Sequence, residues 1–257
     1  MNEQVCFHIG LSPAQGAGWA IVTGDPGRVE AVARFLDGPQ KLGCNREYTS
    51  WAGRLEGERV LVISHGIGGP STAICVEELA LCGVHTILRV GTCGGMQPQV
   101  LPGDLVAATG AIRAEGTSRE YLPVEYPAVA DPQVVQALLA AAKAGGRRIH
   151  AGVVHCKDSF YGQHQPEASP VGDELKYRWR AWIAGGCLAS EMESAALFTV
   201  AAVKRMRAGC LLHTLWNQER RAAGLPDETV EDTTAALHTA VEAMRLLIRQ
   251  GAGESGR

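Results

Sequence analysis

Two glutamates separated by one residue stand in an otherwise apolar stretch of the sequence. Glu191 and Glu193 flank Met192, and the apolar run 194–203 that follows predicts a buried helix. Charged side chains are costly to bury unless something pairs with them, and the helix dipole favours acids at a helix start. Two acceptor-only carboxylates suit a vicinal diol, whose hydroxyls can donate to them. The alternative is a helix N-cap with an acid in its first turn.

Glycine-rich segments after apolar strands predict a site for an anion. Gly24 to Arg28 (GDPGR) follows an apolar run and precedes an amphipathic helix, so backbone N–H groups and one guanidinium would face the space above a strand. Arg89 lies inside another apolar strand and needs an anionic partner, and Thr92 follows it in a small-residue loop. Together Arg28, Arg89 and Thr92 predict a phosphate cradle. For the first segment an ordinary turn with a solvated arginine is the alternative, because its glycine spacing matches neither the P-loop nor the dinucleotide-binding fingerprint.

The elements that must position these residues alternate between strand and helix. The apolar pattern predicts strands at 19–23, 59–64, 85–90, 104–109, 149–155, 187–190 and 207–216. It predicts helices near 26–36, 71–83, 132–145, 172–184, 191–206 and 229–250. Such alternation predicts an α/β fold in three layers, α/β/α, with helices on both faces of one sheet. The segment 40–55 predicts an antiparallel hairpin arm and therefore a mixed sheet. We predict a single domain over 1–250 and a disordered tail over 251–257.

Composition narrows the classes of function. The 257 residues are 46% hydrophobic with a formal net charge of −3 and no dominant basic patch, so nucleic acid is not an expected partner. No run of about 20 apolar residues predicts a membrane helix, and no signal peptide is evident. The eight cysteines include no C-x-x-C pair and mostly lie in apolar segments. That pattern predicts reduced thiols and a cytoplasmic protein.

Several motifs, in this order, resemble a known family. They are GDPGRVE from Gly24, NREYT from Asn45, HGIGGPST from His65, RVGTCGG from Arg89, DSFYGQ from Asp158 and SEMESA from Ser190. Nearly the whole chain is similar to the nucleoside phosphorylase family with the phosphorylase/hydrolase-like fold, and most closely to its uridine-specific members. The resemblance implies phosphorolysis of pyrimidine nucleosides, in which uridine and phosphate give uracil and ribose 1-phosphate.

The resemblance also implies a role for each matching residue. Phosphate would be held by Gly24, Arg28, Arg89 and Thr92, together with Arg46 from a neighbouring subunit. Ribose would be held by His8, also from the neighbour, and by Glu191, Met192 and Glu193. Phe160 would stack on the base and the Gln163 amide would pair with its edge, so the catalytic set is Arg89, Glu193 and Gln163. No cofactor is required, but a structural potassium ion is implied at Glu47, Ile67 (by its carbonyl) and Ser71.

The base-recognition segment departs from the family pattern. Uridine-specific members follow the glutamine equivalent to Gln163 with an arginine that donates to uracil O4, whereas this chain continues with His164-Gln165-Pro166. His164 or Gln165 would donate instead, or Arg220 or Arg221 would reach in from the later loop. Purine-specific relatives carry an aspartate after the last strand, and the segment 212–226 contains none. Its absence argues against a purine phosphorylase.

Other classes of protein fit the same fold. A nucleosidase would replace phosphate by water and would not need Arg28, Arg46 and Arg89 together. A non-catalytic nucleoside-binding protein is expected to show a damaged ribose or phosphate set, and a phosphorylase of different or broad base specificity, for purines or 2′-deoxypyrimidines, is a nearer alternative. If Arg46 and His8 serve a neighbour's site, the functional unit is a dimer, and the family implies a hexamer built as a trimer of dimers.

Overall fold

The structure is a computed structural model that describes residues 5–254. Ten strands in this part of the chain form one sheet: β1 (Trp19–Thr23), β2 (Asp37–Asn45), β3 (Tyr48–Leu55), β4 (Glu58–Ser64), β5 (Thr86–Gly95), β6 (Leu105–Ala114), β7 (Ala128–Val129), β8 (Ile149–Lys157), β9 (Ala189–Glu191) and β10 (Arg207–Asn217). The α-helices of the same part are α1 (Gly27–Ala33), α2 (Gly69–Leu81), α3 (Thr117–Tyr121), α4 (Pro132–Ala144), α5 (Phe160–His164), α6 (Gly172–Ala184), α7 (Ser194–Val203), α8 (Gln218–Ala222) and α9 (Thr234–Glu254).

The sheet is mixed, as predicted. Strand β1 lies between β4 and β5 and is parallel to both, because α1 and α2 carry the chain back across the sheet between successive strands. The segment 40–55 forms the predicted hairpin, β2 with β3, which adds antiparallel strands beside β4. At the other side the order β10-β6-β8-β9-β5, with an additional pairing of β10 to β5, closes five strands into a ring.

Helices cover both faces of the sheet, which confirms the three-layer prediction. On one face α2 packs against α7, and residues such as Leu79 and Phe198 are fully buried there. On the other face α1, α4 and α9 bury Val32, Leu138 and Leu247. A fully buried apolar side chain contributes about 1.5–3 kcal/mol relative to an exposed one, so these two cores hold the strand ends in place.

Several local predictions differ from the structure. The predicted small-residue loop after Val90 is wrong, because β5 continues to Gly95 and β10 pairs with it along that length. The helix predicted from 191 begins at Ser194 instead, since Glu191 still belongs to β9. Helix α9 continues to Glu254, past the predicted start of the tail at 251, and 255–257 lie outside the described residues. Within residues 5–254, no helix has both the length and the apolar character needed to cross a membrane.

Candidate active site

A cavity of about 640 Å³ lies at the ends of several strands. Its walls come from the residues that follow β1 and β4, from the last residues of β5, β8 and β9, and from α5. Of the predicted site residues it gathers Gly24, Arg28, Glu47, Ile67, Arg89, Thr92, Phe160, Gln163, Glu191, Met192 and Glu193. Strand ends of an α/β sheet are where such folds bind ligands, because the loops there are free to vary. Its volume is within the range of small-molecule sites.

One end of the cavity is formed by the turn after β1. Gly24 follows the strand, and the carboxylate of Asp25 accepts a hydrogen bond from the Gly27 amide at 2.8 Å, which fixes the turn into α1. Arg28 is partly exposed, with Nε 3.8 Å from the Asp25 carboxylate. A Cβ at Gly24 would lie 3.1 Å from the Gly66 carbonyl oxygen, so the two glycine turns approach closely. This end offers a guanidinium and backbone groups to an anion.

Arg89 connects this end to the two glutamates. Its side chain is buried in β5, Nη2 donates to Glu193 and Nη1 lies 3.6 Å from Glu191 Oε2. Burial acts to lower the pKa of Arg89, but the neighbouring negative charges outweigh it and the pKa is raised. The Nε atom is buried, and no described residue accepts a hydrogen bond from it. A Cβ at Gly91 would lie 2.2 Å from Nη1, so only glycine leaves room for this guanidinium.

Glu193 lies at the N-terminus of α7 with its carboxylate held on both sides. Oε1 accepts a hydrogen bond from the Gly68 amide at 2.7 Å, and Oε2 accepts from Arg89. Burial acts to raise the pKa of Glu193, but Arg89, His65 and the Gly68 amide together outweigh it, so the pKa is lowered. Burial, followed by the charge of Arg89, lowers the pKa of His65 to about 4. The result is a fixed carboxylate whose oxygens each keep acceptor capacity for a hydroxyl.

Glu191 has a different environment from Glu193. Its carboxylate accepts hydrogen bonds from the Glu193 and Ser194 amides at 2.9–3.1 Å and from the Ser194 hydroxyl at 2.5 Å. These groups belong to the first turn of α7, so Glu191 satisfies the orphan donors of that helix. The helix-cap interpretation therefore describes Glu191, whereas Glu193 has the geometry expected of a ligand carboxylate.

The opposite end of the cavity combines an aromatic ring with an amide. Phe160 on α5 is 42% exposed, and its ring centroid lies 4.4 Å from that of His164. Gln163 is held at both ends of its amide: Oε1 accepts from the Ser190 hydroxyl at 2.7 Å, and Nε2 donates to Gln218 Oε1 at 3.2 Å. Trp216 completes this end. A flat ring beside an oriented amide suits a heterocyclic base.

Lys157 is a cavity residue that the sequence argument missed. It is the last residue of β8, its side chain is buried, and Nζ donates to the Ser190 hydroxyl at 2.9 Å. Burial lowers the pKa of Lys157. The sequence does contain a signal for Lys157: like Arg89, it is a charged residue in an apolar strand pattern and needs a partner if it is buried. The predicted strand ended at 155, two residues too early. Ser190 and Trp216 carried no comparable signal.

Two arginines proposed for base recognition lie outside this cavity. Arg220 donates to the carbonyl oxygens of Pro226 and Pro98 at 2.9 and 2.8 Å. Arg221 pairs with Asp227 at 3.0 Å, and the Asp227 carboxylate also accepts a hydrogen bond from the backbone N–H of Asn217 at 2.6 Å. These contacts hold the loop after β10 in shape. Neither arginine replaces the missing base donor in this arrangement.

Two residues assigned to a neighbouring subunit also lie away from the chain's own cavity. Arg46 is exposed at the turn between β2 and β3 and has a φ of 53°, in the left-handed region that non-glycine residues seldom adopt. His8 lies 2.7 Å from Glu78 through Nδ1. Glu56 and Arg205 have φ values of 52° and 56°, so this conformation does not by itself distinguish Arg46 as a functional residue.

The implied cation ligands are partly gathered. Glu47 Oε1 accepts a hydrogen bond from the Ser71 hydroxyl at 2.6 Å, and this bond is the main cause of the lowered pKa of Glu47. Ile67 is 78% exposed in the turn between β4 and α2. Residues 5–254 contain no cluster of three or more His, Cys, Asp or Glu side chains able to hold a metal ion.

The chain is similar to known proteins over most of its length. The family model described as "Phosphorylase superfamily" matches residues 19–250. A uridine phosphorylase of Treponema pallidum (strain Nichols) is 54% identical over 244 residues, 95% of this chain and 95% of that protein. A uridine phosphorylase of Escherichia coli (strain K12) is 42% identical over 255 residues, 96% of this chain and 100% of that protein. A guanosine phosphorylase of Halorubrum lacusprofundi is 42% identical over 192 residues, 75% of each chain.

Proposed function

The chain belongs to the phosphorylase superfamily, and on that premise we propose that it catalyses phosphorolysis of pyrimidine nucleosides, converting uridine and phosphate to uracil and ribose 1-phosphate. The observation that carries this proposal is the order of groups along one cavity. The strand order β1-β5-β9-β8 carries this order: Arg28 follows β1, Arg89 and Thr92 lie on β5, Glu193 follows β9, and Phe160 and Gln163 follow β8. That order matches phosphate, ribose and base in the substrates.

The proposed chemistry needs alignment and charge stabilisation more than a strong base. Phosphate held by Arg28, Thr92 and Arg89 would attack C1′ of the ribose as the glycosidic C–N bond breaks and the ribose gains oxocarbenium character. An acceptor brought by the ligand would satisfy the buried Arg89 Nε. Glu193 would accept hydrogen bonds from the ribose hydroxyls and fix the sugar. The departing base leaves as an anion and takes its proton from water afterwards.

Base specificity depends on the acids and hydrogen-bonding groups near the end of the cavity that contains Phe160 and Gln163. A purine leaves most easily when an acid protonates its ring. Two acids follow β10 closely, and both are held in other contacts: the Glu219 carboxylate accepts a hydrogen bond from Trp179 Nε1 at 2.8 Å, and the Asp227 carboxylate accepts from the backbone N–H of Asn217 and pairs with Arg221. A pyrimidine needs only hydrogen-bond donors and an acceptor for its O2–N3–O4 edge. The Gln163 amide supplies one of each, and because Glu219 and Asp227 are held in other contacts the arrangement favours uridine over guanosine or inosine.

The functional unit that we propose is a dimer, assembled further into a hexamer as a trimer of dimers. Its support is the resemblance together with the position of Arg46, exposed and away from the cavity of its own chain. Mixing Arg46→Met protein with Glu193→Ala protein after dissociation tests the shared site. If each protomer completes the site of its two-fold partner, a mixed dimer contains one intact site and one inactive site. Equal amounts of the two variants pair at random into about one half mixed dimers, so about a quarter of wild-type activity should return. No recovery from the mixture would overturn the shared-site proposal.

Two further features belong to the same proposal. A potassium ion between subunits would take oxygen ligands from Glu47, Ser71 and the Ile67 carbonyl, and its role would be to hold the interface. No cofactor takes part in the proposed chemistry. Replacing potassium by a tetraalkylammonium salt should lower the thermal unfolding midpoint if the ion is bound.

The free thiol state of all eight cysteines supports a reducing, cytoplasmic location.

The experiment that tests the function is base release from uridine, thymidine, deoxyuridine, cytidine, inosine, guanosine and adenosine, each with and without phosphate. Phosphate-dependent release of uracil, with formation of ribose 1-phosphate, is the expected result. Equal release without phosphate would make the protein a nucleosidase. Release of guanine in preference to uracil would overturn the pyrimidine assignment, and binding of uridine without release from any substrate would overturn catalysis.

A further inference from the structure

The N-terminal segment 6–11 carries His8 and is held in shape by one carboxylate of helix α2. Glu78 Oε2 accepts hydrogen bonds from the backbone N–H groups of His8 and Ile9 at 3.0 and 2.7 Å, and Oε1 lies 2.7 Å from His8 Nδ1. The Glu78 side chain is only 12% exposed. A largely buried carboxylate needs donors, and here they all come from one short segment. Glu78 therefore fixes both the backbone and the imidazole of that segment.

The contact with Glu78 decides which ring nitrogen of His8 is free. An ionised carboxylate only accepts hydrogen bonds, so Nδ1 carries a proton towards it in the neutral and in the charged imidazole alike. Nε2 is then the nitrogen that can meet another group, and it has no hydrogen-bond partner among residues 5–254. The His8 side chain is 33% exposed and does not line the cavity of its own chain. A ring with one fixed orientation suits contact with a group outside its own protomer.

A second residue ties the same segment to the turn that carries Arg46. Asn45 Nδ2 donates to the backbone carbonyl oxygens of Phe7 and His8 at 3.2 and 2.7 Å. Asn45 is the last residue of β2, so Arg46 follows this contact directly. The two residues expected to serve a neighbouring subunit therefore belong to one hydrogen-bonded unit, although they are far apart in the sequence.

We propose that Glu78 and Asn45 are positioning residues for the active site of the neighbouring protomer. They act through His8 and Arg46, and the inference rests on the proposed function and its shared site. Glu78 sets the direction in which His8 Nε2 meets the ribose in the partner's cavity. Asn45 keeps that ring against the turn whose arginine serves the phosphate. Holding the two contacts in a fixed relation aligns ribose with phosphate, and such alignment lowers the barrier to their reaction. Neither Glu78 nor Asn45 lines the cavity of its own chain.

The test places Glu78→Gln on one chain at a time in the mixture of Arg46→Met and Glu193→Ala protein. The intact site of a mixed dimer uses the cavity of the Arg46→Met chain and segment 6–11 of the Glu193→Ala chain. Glutamine keeps the volume but has one acceptor oxygen for the N–H groups that two oxygens held. On the Glu193→Ala chain, Glu78→Gln should cut the recovered uridine phosphorolysis about 3- to 30-fold, as expected for one or two misplaced hydrogen bonds. On the Arg46→Met chain it should leave the recovered activity within about twofold.

The matched control is Glu77→Gln, the same substitution one residue earlier on α2, where the carboxylate pairs with Lys204. On either chain it should leave the recovered activity unchanged. An equal loss from Glu78→Gln on both chains would overturn the proposal, because a merely structural role does not depend on which chain carries the change. A loss confined to the Arg46→Met chain would also overturn it, since Glu78 would then serve its own cavity.

Failure of the proposed function has a separate signature. If wild type releases no uracil with phosphate, the proposed function and this inference are both wrong. If wild type is active but the parent mixture recovers nothing, the shared site is wrong and the positioning role with it. If the parent mixture recovers activity and Glu78→Gln on the Glu193→Ala chain changes it by less than about twofold, the positioning role alone is wrong. If Glu78→Gln does not fold, Asn45→Ala removes the amide that holds segment 6–11 and should show the same dependence on chain.

Discussion

Replacing Arg89 by methionine removes the cation that lies between two buried carboxylates. The side chains of Arg89, Glu191 and Glu193 are only 4%, 1% and 7% exposed. Removing one partner of a buried ion pair costs about 3–5 kcal/mol, because the remaining charge stays buried without compensation. Glu191 keeps its hydrogen bonds from the first turn of α7, whereas Glu193 keeps only the Gly68 amide. We therefore expect Arg89→Met to lower the free energy of unfolding at pH 7 by about 3–5 kcal/mol, with the loss centred on Glu193.

The sign of the pH dependence makes this prediction specific. In the native protein the pKa of Glu193 is lowered, so its contribution to stability is present above its unfolded pKa, near 4.5, and is lost as the pH falls. Without Arg89, burial would raise the pKa of Glu193 above the unfolded value. The carboxylate would then cost stability as the pH rises through that new pKa, by up to about 1.4 kcal/mol per pH unit. The difference between wild type and variant should therefore grow from pH 5 to pH 8.

Urea unfolding followed by tryptophan fluorescence, at a fixed protomer concentration because subunit association adds to stability, measures this difference. The matched control is the double variant Arg89→Met/Glu193→Gln, whose neutral amide should recover about 2 kcal/mol of the loss and remove the added pH dependence. A single variant within about 1 kcal/mol of wild type at pH 7, or a loss that does not change with pH, would refute the reasoning.

Three other predictions concern the same site. Glu193→Ala should cut turnover of ribosides about 100-fold or more and of 2′-deoxyribosides less, if the 2′-hydroxyl is its main contact; equal losses in steady-state assays would assign it another role. Gly91→Ala should raise KM for phosphate far more than KM for the nucleoside, because its Cβ would lie 2.2 Å from Arg89 Nη1; an unchanged KM for phosphate would contradict this. Burial lowers the pKa of His65 to about 4 and of His155 to about 3, so the unfolded state binds more protons below about pH 6.5 and stability should fall from there towards pH 4. His155→Gln should flatten that fall in urea titrations, and an unchanged slope would contradict the assignment.

Local patterns in the sequence predicted much of the fold. The alternating strands and helices, the hairpin over 40–55 and the buried helix after Glu193 are all present, because each depends on the spacing of apolar residues within one segment. The errors came where a segment's structure depends on a distant partner. Residues 91–95 look like a glycine loop, yet they form a strand because β10 supplies their hydrogen bonds.

Candidate chemistry could be inferred wherever a residue type conflicted with its surroundings. An arginine in an apolar strand and acids before an apolar helix both indicate buried charges that need partners, and Arg89 and Glu193 prove to be partners across 104 positions of sequence. The same argument applies to Lys157, but the sequence analysis missed this residue because it placed the end of the strand at 155 instead of at Lys157. The distinction between Glu191 and Glu193 was beyond such an argument, since it depends on which backbone amides each carboxylate faces.

The sequence by itself determined the cores of most strands and helices, which turns can approach an anion and which charges must be buried, because these properties depend on residues close together in the chain. Only the tertiary structure decided which charges meet, that Arg220 and Arg221 hold their own loop, and that Lys157, Ser190 and Gln163 share one wall. The physical reason is that hydrogen bonds act over about 3 Å. Contacts of that length between β8, β9 and α5 follow from sheet register and helix packing, which no single segment specifies.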